Sequence, residues 1–186
     1  MDAPRISSTM IGEYIKEENL LASRSAIKEI FFLSSRSGAK LSAIEKDRFF
    51  QTWAGYYLDI LPTQTLVFKT NLGKIVGYLT GCYDSVAASD LYKNLFYYRA
   101  FEACYSQYPT HFHINCHPDF RNKGIGGALV EAFVQNSTER GVPGVHLVTA
   151  RSAGNRRFYE SHEFHLHATK KFDSGDLVLL GRKCSA

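Results

Sequence analysis

The chain has 186 residues, of which 45% are apolar or aromatic and 22% charged, with a formal charge of +4 and a pI near 8.8. That length suits one domain with a sizeable core, and that composition argues against a disordered chain. The positive residues are scattered, which argues against a nucleic-acid arm, although a ligand with several phosphates would be drawn to such a surface.

Residues 24–33 place apolar side chains at 27, 30, 31 and 33 and are expected to form a helix. A second helix is expected over 42–58, where Leu41, Ile44, Phe49, Trp53 and Tyr57 approximate helical spacing before Pro62 ends it. Leu66–Thr70 and Lys74–Gly81 are rich in β-branched and aromatic residues and flank Asn71-Leu-Gly73, a hairpin signal. Residues 85–107 read as helical, with Leu91, Leu95, Tyr98, Glu102 and Tyr105 three or four apart and Pro109 closing the segment. His111–His117 is a strand candidate, and Gly124–Arg140 reads as a helix stopped by Gly141. Val145–Thr149 follows as a strand and Asn155–His162 as a short helix. The tail from about His167 to Cys184 reads as two strands around Asp173-Ser-Gly-Asp176. This order favours a mixed sheet covered by helices.

Cysteines 82, 104, 116 and 184 form no CxxC pair, which reads as reduced cytoplasmic thiols. The start, Met1-Asp-Ala-Pro-Arg-Ile, lacks the order of a signal peptide. No run of about eighteen apolar residues suggests a membrane span.

The most informative stretch is His117-Pro-Asp-Phe-Arg-Asn-Lys-Gly-Ile-Gly-Gly-Ala-Leu-Val130, where an expected strand enters a glycine-rich, basic turn that opens into a helix. The first helical turn has backbone N–H groups without internal partners and carries partial positive charge. Gly124, Gly126 and Gly127 remove Cβ atoms, so the main chain can approach phosphate oxygens, and Arg121 and Lys123 add charge. A dinucleotide fingerprint would need glycine where Leu129 stands, and a nucleoside-triphosphate loop would need a Gly-Lys-Ser/Thr run that does not occur. Alone, such a turn also serves as a plain strand–helix connection.

Arg121-Asn-Lys-Gly-Ile-Gly resembles the Arg/Gln-x-x-Gly-x-Gly/Ala signature of the GNAT acetyltransferases, and Cys116-His-Pro-Asp-Phe resembles its usual lead-in. Asn155-Arg-Arg-Phe-Tyr-Glu-Ser-His-Glu-Phe164 resembles the family's second motif, Ala-x-x-Phe-Tyr-x-x-x-Gly-Phe. The resemblance spans roughly 64–164. In register, the family's Asn falls on Ser152, Asn155 stands where Ala is common, and Glu163 replaces Gly.

The resemblance implies a single α/β domain over 1–186, with a mixed, mostly antiparallel sheet flanked by helices and a helical insertion at about 85–108. It implies acetyl-coenzyme A as cofactor, with its pantetheine arm between splayed strands at 111–117 and 145–150 acting as a missing strand. Ile114, Asn115 and Cys116 would flank the thioester, whose carbonyl a backbone N–H polarises. Arg121, Asn122, Lys123, Gly124, Ile125, Gly126 and Gly127 would hold the pyrophosphate, with Ser152, Asn155 and Phe158 supplying the second motif's contacts. Tyr159 takes the position of the family's general acid; a phenol and a thiol have pKa values within about two units of each other. The alternative is ring packing beside Phe158.

The acceptor expected is an amine, on a small molecule, a peptide or a protein, acetylated directly in a ternary complex. The base is less legible. Family members with a base on the first strand use positions that here are Thr110 and Phe112, and neither side chain can serve. His113, sharing a strand face with His111, is the catalytic candidate that would act through water if a bulge re-aims it. A structural histidine and an ordered water chain are the other readings. Residues 162, 165 and 167 are histidines, but no metal is expected from them, since a helix and a strand would carry them in unspecified geometry. Cys116 as an acyl-carrying nucleophile is weighed against simple packing, and packing is favoured.

The aromatic run Tyr92, Phe96, Tyr97, Tyr98, Phe101 and Tyr105 is either core or a homodimer contact, or a wall over the acceptor pocket with Glu102 and Asp84 as anchors. Trp53 and Tyr56 serve that pocket or fill the core. The alternative function is a non-catalytic acetyltransferase-like module that binds a ligand or partner. No nucleic-acid or membrane partner is expected.

Overall fold

In the computed structural model, residues 10–35, 41–88 and 90–184 are described. The N-terminal run Met1–Ile6 and Ser89 within the expected insertion lie outside them. Strands β1 (Ile11–Glu13), β2 (Leu66–Lys69), β3 (Ile75–Cys82), β4 (Thr110–Cys116), β5 (Gly144–Ala150), β6 (His165–Lys170) and β7 (Leu177–Lys183) run in the sheet order β1-β2-β3-β4-β5-β7-β6. The β1–β2, β2–β3, β5–β7 and β6–β7 pairs are antiparallel, and β4–β5 is parallel through Thr110↔Val145 and His111↔His146. The helices are α1 (Leu20–Ser34), α2 (Ala43–Phe50), α3 (Tyr56–Ile60), α4 (Leu91–Asn94), α5 (Ile125–Glu139) and α6 (Arg156–Glu160). The chain packs as two compact units, Met1–Gly81 with His113–Phe133 and Cys82–Phe112 with Val134–Ala186.

In the first unit, α1 starts where the Asn19 side chain accepts a hydrogen bond from Ala22 N at 2.9 Å, and α2 starts with a Ser42/Glu45 capping box. The expected single helix over 42–58 is interrupted. Between α2 and α3 the winding opens into a π turn, Gln51–Gly55. Gly55 lies under the Gln51 side chain, where a Cβ would come within 2.3 Å of Oε1. Gln51 and Asp59 are held by Arg24 from α1, at 3.1 and 2.7 Å. Phe31, Phe50, Ala54, Leu58, Val67 and Tyr78 bury the face between these helices and the sheet. The β2–β3 hairpin turns at Gly73, whose φ of +77° suits a residue without Cβ.

Helix α5 reaches β3 at close range. A Cβ on Gly77 would lie 2.9 Å from Ile125 and 3.3 Å from Leu129, and one on Gly81 would lie 2.3 Å from the Phe133 ring. Glycines four apart share one face of a strand, and residues 125, 129 and 133 share one face of a helix.

The second unit departs from expectation between 85 and 107. There is no continuous helix; α4 covers one turn and a 3₁₀ segment covers Arg99–Cys104. Tyrosine hydroxyls compete for the backbone: Tyr98 donates to Ser85 O at 2.9 Å and Tyr105 to Tyr98 O at 2.7 Å. Tyr97, Tyr98, Phe101 and Tyr105 are buried and form core. Asp84 caps the amides of Val86 and Ala87, and Glu102 accepts from Tyr92. Imidazoles of His111 and His146, partners across β4 and β5, are also buried, His146 Nδ1 donating to Tyr108 O at 2.7 Å.

Helix α5 ends as the sequence implies. Gly141 takes φ +69°, its N–H bonds Thr138 O at 2.8 Å, and Val142 N bonds Ser137 O at 3.3 Å, a Schellman closure. Helix α6 ends the same way, with Glu163 N to Glu160 O at 3.1 Å and Phe164 N to Tyr159 O at 3.0 Å. Here the left-handed position, φ +62°, is filled by Glu163 rather than glycine. The family's usual glycine thus has a physical reason.

Two outcomes follow. Gly81→Ala should destabilise the protein by about 1–3 kcal/mol through overpacking against Phe133. In urea titrations, Gly81→Ala with Phe133→Leu should lose less than the sum of the single changes, and strict additivity would contradict the contact. Glu163→Gly should stabilise by about 0.5–1 kcal/mol, because relief of the left-handed strain exceeds the entropy glycine adds to the unfolded chain. Its pair with Arg182, at 3.2 Å, is open to solvent on the Glu163 side and contributes little against this; a lower melting temperature would refute the account.

Candidate active site

The first unit assembles the glycine turn and the end of β4. After Cys116, His117 N bonds Val76 O at 2.9 Å, and a 3₁₀ turn at Pro118–Phe120 follows. His117 Nδ1 accepts from Asp119 N at 3.3 Å, which caps that turn. The chain then takes left-handed φ at Asn122 (+58°) and Gly124 (+78°) and enters α5. The first ladder bond runs from Ala128 N to Gly124 O at 3.0 Å, so the amides of Ile125, Gly126 and Gly127 precede the ladder. Residues 121–124 are exposed, while Ile125 is buried and anchors the helix start. This arrangement fits a pyrophosphate: helix-end amides, no Cβ at three positions, and two cations alongside.

Arg121 is oriented by its neighbours. Its Nε donates to Cys116 O at 3.3 Å and its Nη2 to Ser34 Oγ at 3.1 Å. Ser34, the last residue of α1, also donates to Cys116 O at 3.4 Å. Lys123 Nζ lies 4.8 Å from the Phe120 ring centroid. Ser34 was not singled out from the sequence, because the contact that gives it a role is made at a distance in the chain.

On β4, Ile114, Asn115 and Cys116 are partly buried. Asn115 Nδ2 donates to the buried Tyr78 hydroxyl at 2.9 Å, and burial raises the Tyr78 pKa well above the ordinary phenol range. Burial pushes the Cys116 thiol up to about 11, with Arg121 opposing. At neutral pH this favours the protonated thiol, a weaker nucleophile than the thiolate.

His113 lies in an aromatic setting. Its ring meets Trp53 at 5.7 Å and 90° and Tyr57 at 5.6 Å and 66°. The residue is partly exposed, but its Nε2 is buried, and this desolvation lowers its pKa to about 4. The imidazole is neutral at pH 7.

In the second unit, Ser152 and Asn155 are exposed on the turn from β5 into α6. Asn155 stands at the helix start without a side-chain cap, and its carbonyl accepts from Tyr159 N at 3.3 Å. Phe158 packs its ring 5.1 Å from Tyr159 and 4.9 Å from His162. Tyr159 is buried, with Phe112 at 6.3 Å and Phe164 at 6.4 Å. The Schellman closure of α6 explains the last contact, since it brings Phe164 onto Tyr159. Among the described residues no helix is long and apolar enough to cross a membrane.

A family model, Acetyltransferase (GNAT) domain, matches residues 62–166. The chain belongs to the GNAT acetyltransferase family. Acetyl transfer is its general chemistry and acetyl-coenzyme A its cofactor. No curated protein sequence matches it. The fold is similar to that of SsHAT, at 22% identity and TM-score 0.74 over 95% of this chain and 98% of that one. It is also similar to the ribosomal-protein-S18-alanine N-acetyltransferase of Escherichia coli, at 18% identity and TM-score 0.57 over 95% and 94%. A phosphinothricin acetyltransferase from Sinorhizobium meliloti, solved in complex with AcCoA, matches at 18% identity and TM-score 0.57 over 90% and 86%.

The His113 environment has a pH consequence. Its folded pKa lies below the ordinary 6.5, so the unfolded chain binds the proton first. The stability this histidine contributes is complete above about pH 6.5 and is lost as pH falls toward 4. Urea titrations between pH 7.5 and 4.5 should give a shallower acid loss for His113→Gln than for the unaltered chain. Parallel profiles would show that the imidazole does not titrate as stated.

Proposed function

We propose that this chain is an N-acetyltransferase that passes the acetyl group of acetyl-coenzyme A directly to an amine in a ternary complex. The observation that carries the reading is the turn from Arg121 to Gly127. Its two left-handed residues and glycine-opened helix start form an anion cradle beside the end of β4. Bound there, the cofactor supplies an activated acetyl thioester.

The work of the chain's own residues is then specific. Arg121, Asn122, Lys123 and the amides from Gly124 to Gly127 hold the pyrophosphate, with Ser152, Asn155 and Phe158 as further cofactor contacts. Ile114, Asn115 and Cys116 orient the thioester, with a main-chain N–H at its carbonyl oxygen. The amine nitrogen bonds the acetyl carbon as the carbon–sulfur bond breaks. Tyr159 gives its phenolic proton to the departing sulfur, and the proton lost by the amine passes to water. A base with a pKa of about 4 is too weak to take that proton from an ammonium directly. His113 therefore orients the amine and its water while adding no charge that would repel it. The four cysteines are free thiols, in keeping with a cytoplasmic setting.

Isothermal titration with acetyl-coenzyme A should give about one site per chain, and Gly126→Val should abolish it while leaving the melting transition in place. Binding retained by that variant would remove the turn from the site. Tyr159→Phe should lower kcat roughly a hundredfold or more with little change in cofactor affinity, as expected for loss of a general acid. Unchanged turnover would take the acid role from Tyr159. Failure of the unaltered chain to bind would favour a non-catalytic, partner-binding module.

A further inference from the structure

Trp53 is the chain's only tryptophan, and the transfer chemistry gives it no role. It sits on the π turn Gln51–Gly55, partly buried. Such a turn inserts one residue into the helical winding and recurs at functional sites, because it re-aims a side chain off the regular helical face. Here it aims Trp53 edge-on at His113, which Tyr57 approaches at a comparable distance from α3. Phe49 extends the array, its ring 6.4 Å from that of Trp53. His113 directly precedes Ile114, Asn115 and Cys116 on β4, the residues assigned to the thioester.

The chemistry of this surface is one-sided. Its partly exposed groups are the Trp53 and Phe49 rings and the His113 imidazole, which carries no charge at neutral pH, while Tyr57 is wholly buried. The carboxylates of the same helices are engaged elsewhere, Asp59 with Arg24 and Gln51, Asp47 with Lys28 at 2.5 Å, and Glu45 with Ser42 in the α2 cap. A second positive charge on an acceptor would meet carboxylates already engaged, whereas a flat apolar body would join an edge-to-face array.

We infer that Trp53, with His113, which the buried Tyr57 ring backs, forms the specificity wall of the acceptor site, and that the acceptor is a primary amine carrying an aromatic body rather than a polyamine or a straight alkyl amine. This rests on the acetyl-transfer reading. As the sole tryptophan, Trp53 reports on the wall by its own fluorescence, independently of turnover.

The test uses the full chain with coenzyme A present and titrates 2-phenylethylamine, n-butylamine and putrescine against Trp53 emission. Steady-state rates with acetyl-coenzyme A follow. A saturable emission change with 2-phenylethylamine, and a kcat/KM roughly tenfold above n-butylamine, is the expected result. Trp53→Ala should remove most of that advantage through KM, and Trp53→Phe should restore part of it. Acetyl-coenzyme A binding without an aryl-specific emission change, or an equal loss for all three amines in Trp53→Ala, overturns the wall. If acetyl-coenzyme A does not bind, the acetyl-transfer reading fails. Emission alone then decides the wall: an aryl-specific response supports it and no response overturns it.

Discussion

A helix can approach a sheet only as far as the intervening side chains allow, and in the first unit two glycines set that limit. Four residues of β3 span about 13 Å and eight residues of α5 about 12 Å, so the two elements can run in register. Ile125 and Leu129 crowd Gly77 and Phe133 crowds Gly81, leaving no room for even one methyl group. Because Ile125 is the first residue of α5, this seating also fixes the helix start. The Cys116 sulfur lies 3.4 Å from the position a Gly77 Cβ would take, so the end of β4 meets the same point. The glycine turn is held by packing behind it rather than by contacts among its exposed residues.

That division of labour suits a phosphate turn. Its residues carry charge and bare backbone, so they contribute little apolar burial and cannot hold their own geometry. The left-handed angles at Asn122 and Gly124 are tolerable for those residue types and let the chain turn within three positions. Arg121 is pre-oriented through Cys116 O and Ser34, which lowers the entropy lost when it engages an anion. The second unit solves a similar problem at α6, where a Schellman closure brings Phe164 onto Tyr159. There the strained position holds Glu163, so the geometry persists without its preferred residue.

Charge is managed by desolvation at several points. His113, Cys116 and Tyr78 are all shifted toward their neutral forms by burial. Around β4 this leaves polar groups that orient without charging, while the exposed cations lie on the following turn.

Much of this was legible in the chain itself. The β-branched and aromatic runs of β2 and β3, the stop at Gly141, and the basic glycine turn are local signals, since each depends on residues within a few positions of one another. The order of elements led to a mixed sheet, as found, and the two motifs led to the family. The region 85–107 was not legible, because its helical spacing was real but its tyrosine hydroxyls found backbone carbonyls that only the folded chain supplies. The π turn was hidden for a related reason: Gln51, Arg24 and Asp59 must meet before the extra residue has a place. The short strand β1 carries too few residues to show a period. Local chemistry determined most of the strands and helices and the basic glycine turn. Tertiary structure decided the state of His113, the partners of Arg121 and the exposure of Trp53, because pKa, orientation and access depend on neighbours brought from elsewhere in the chain.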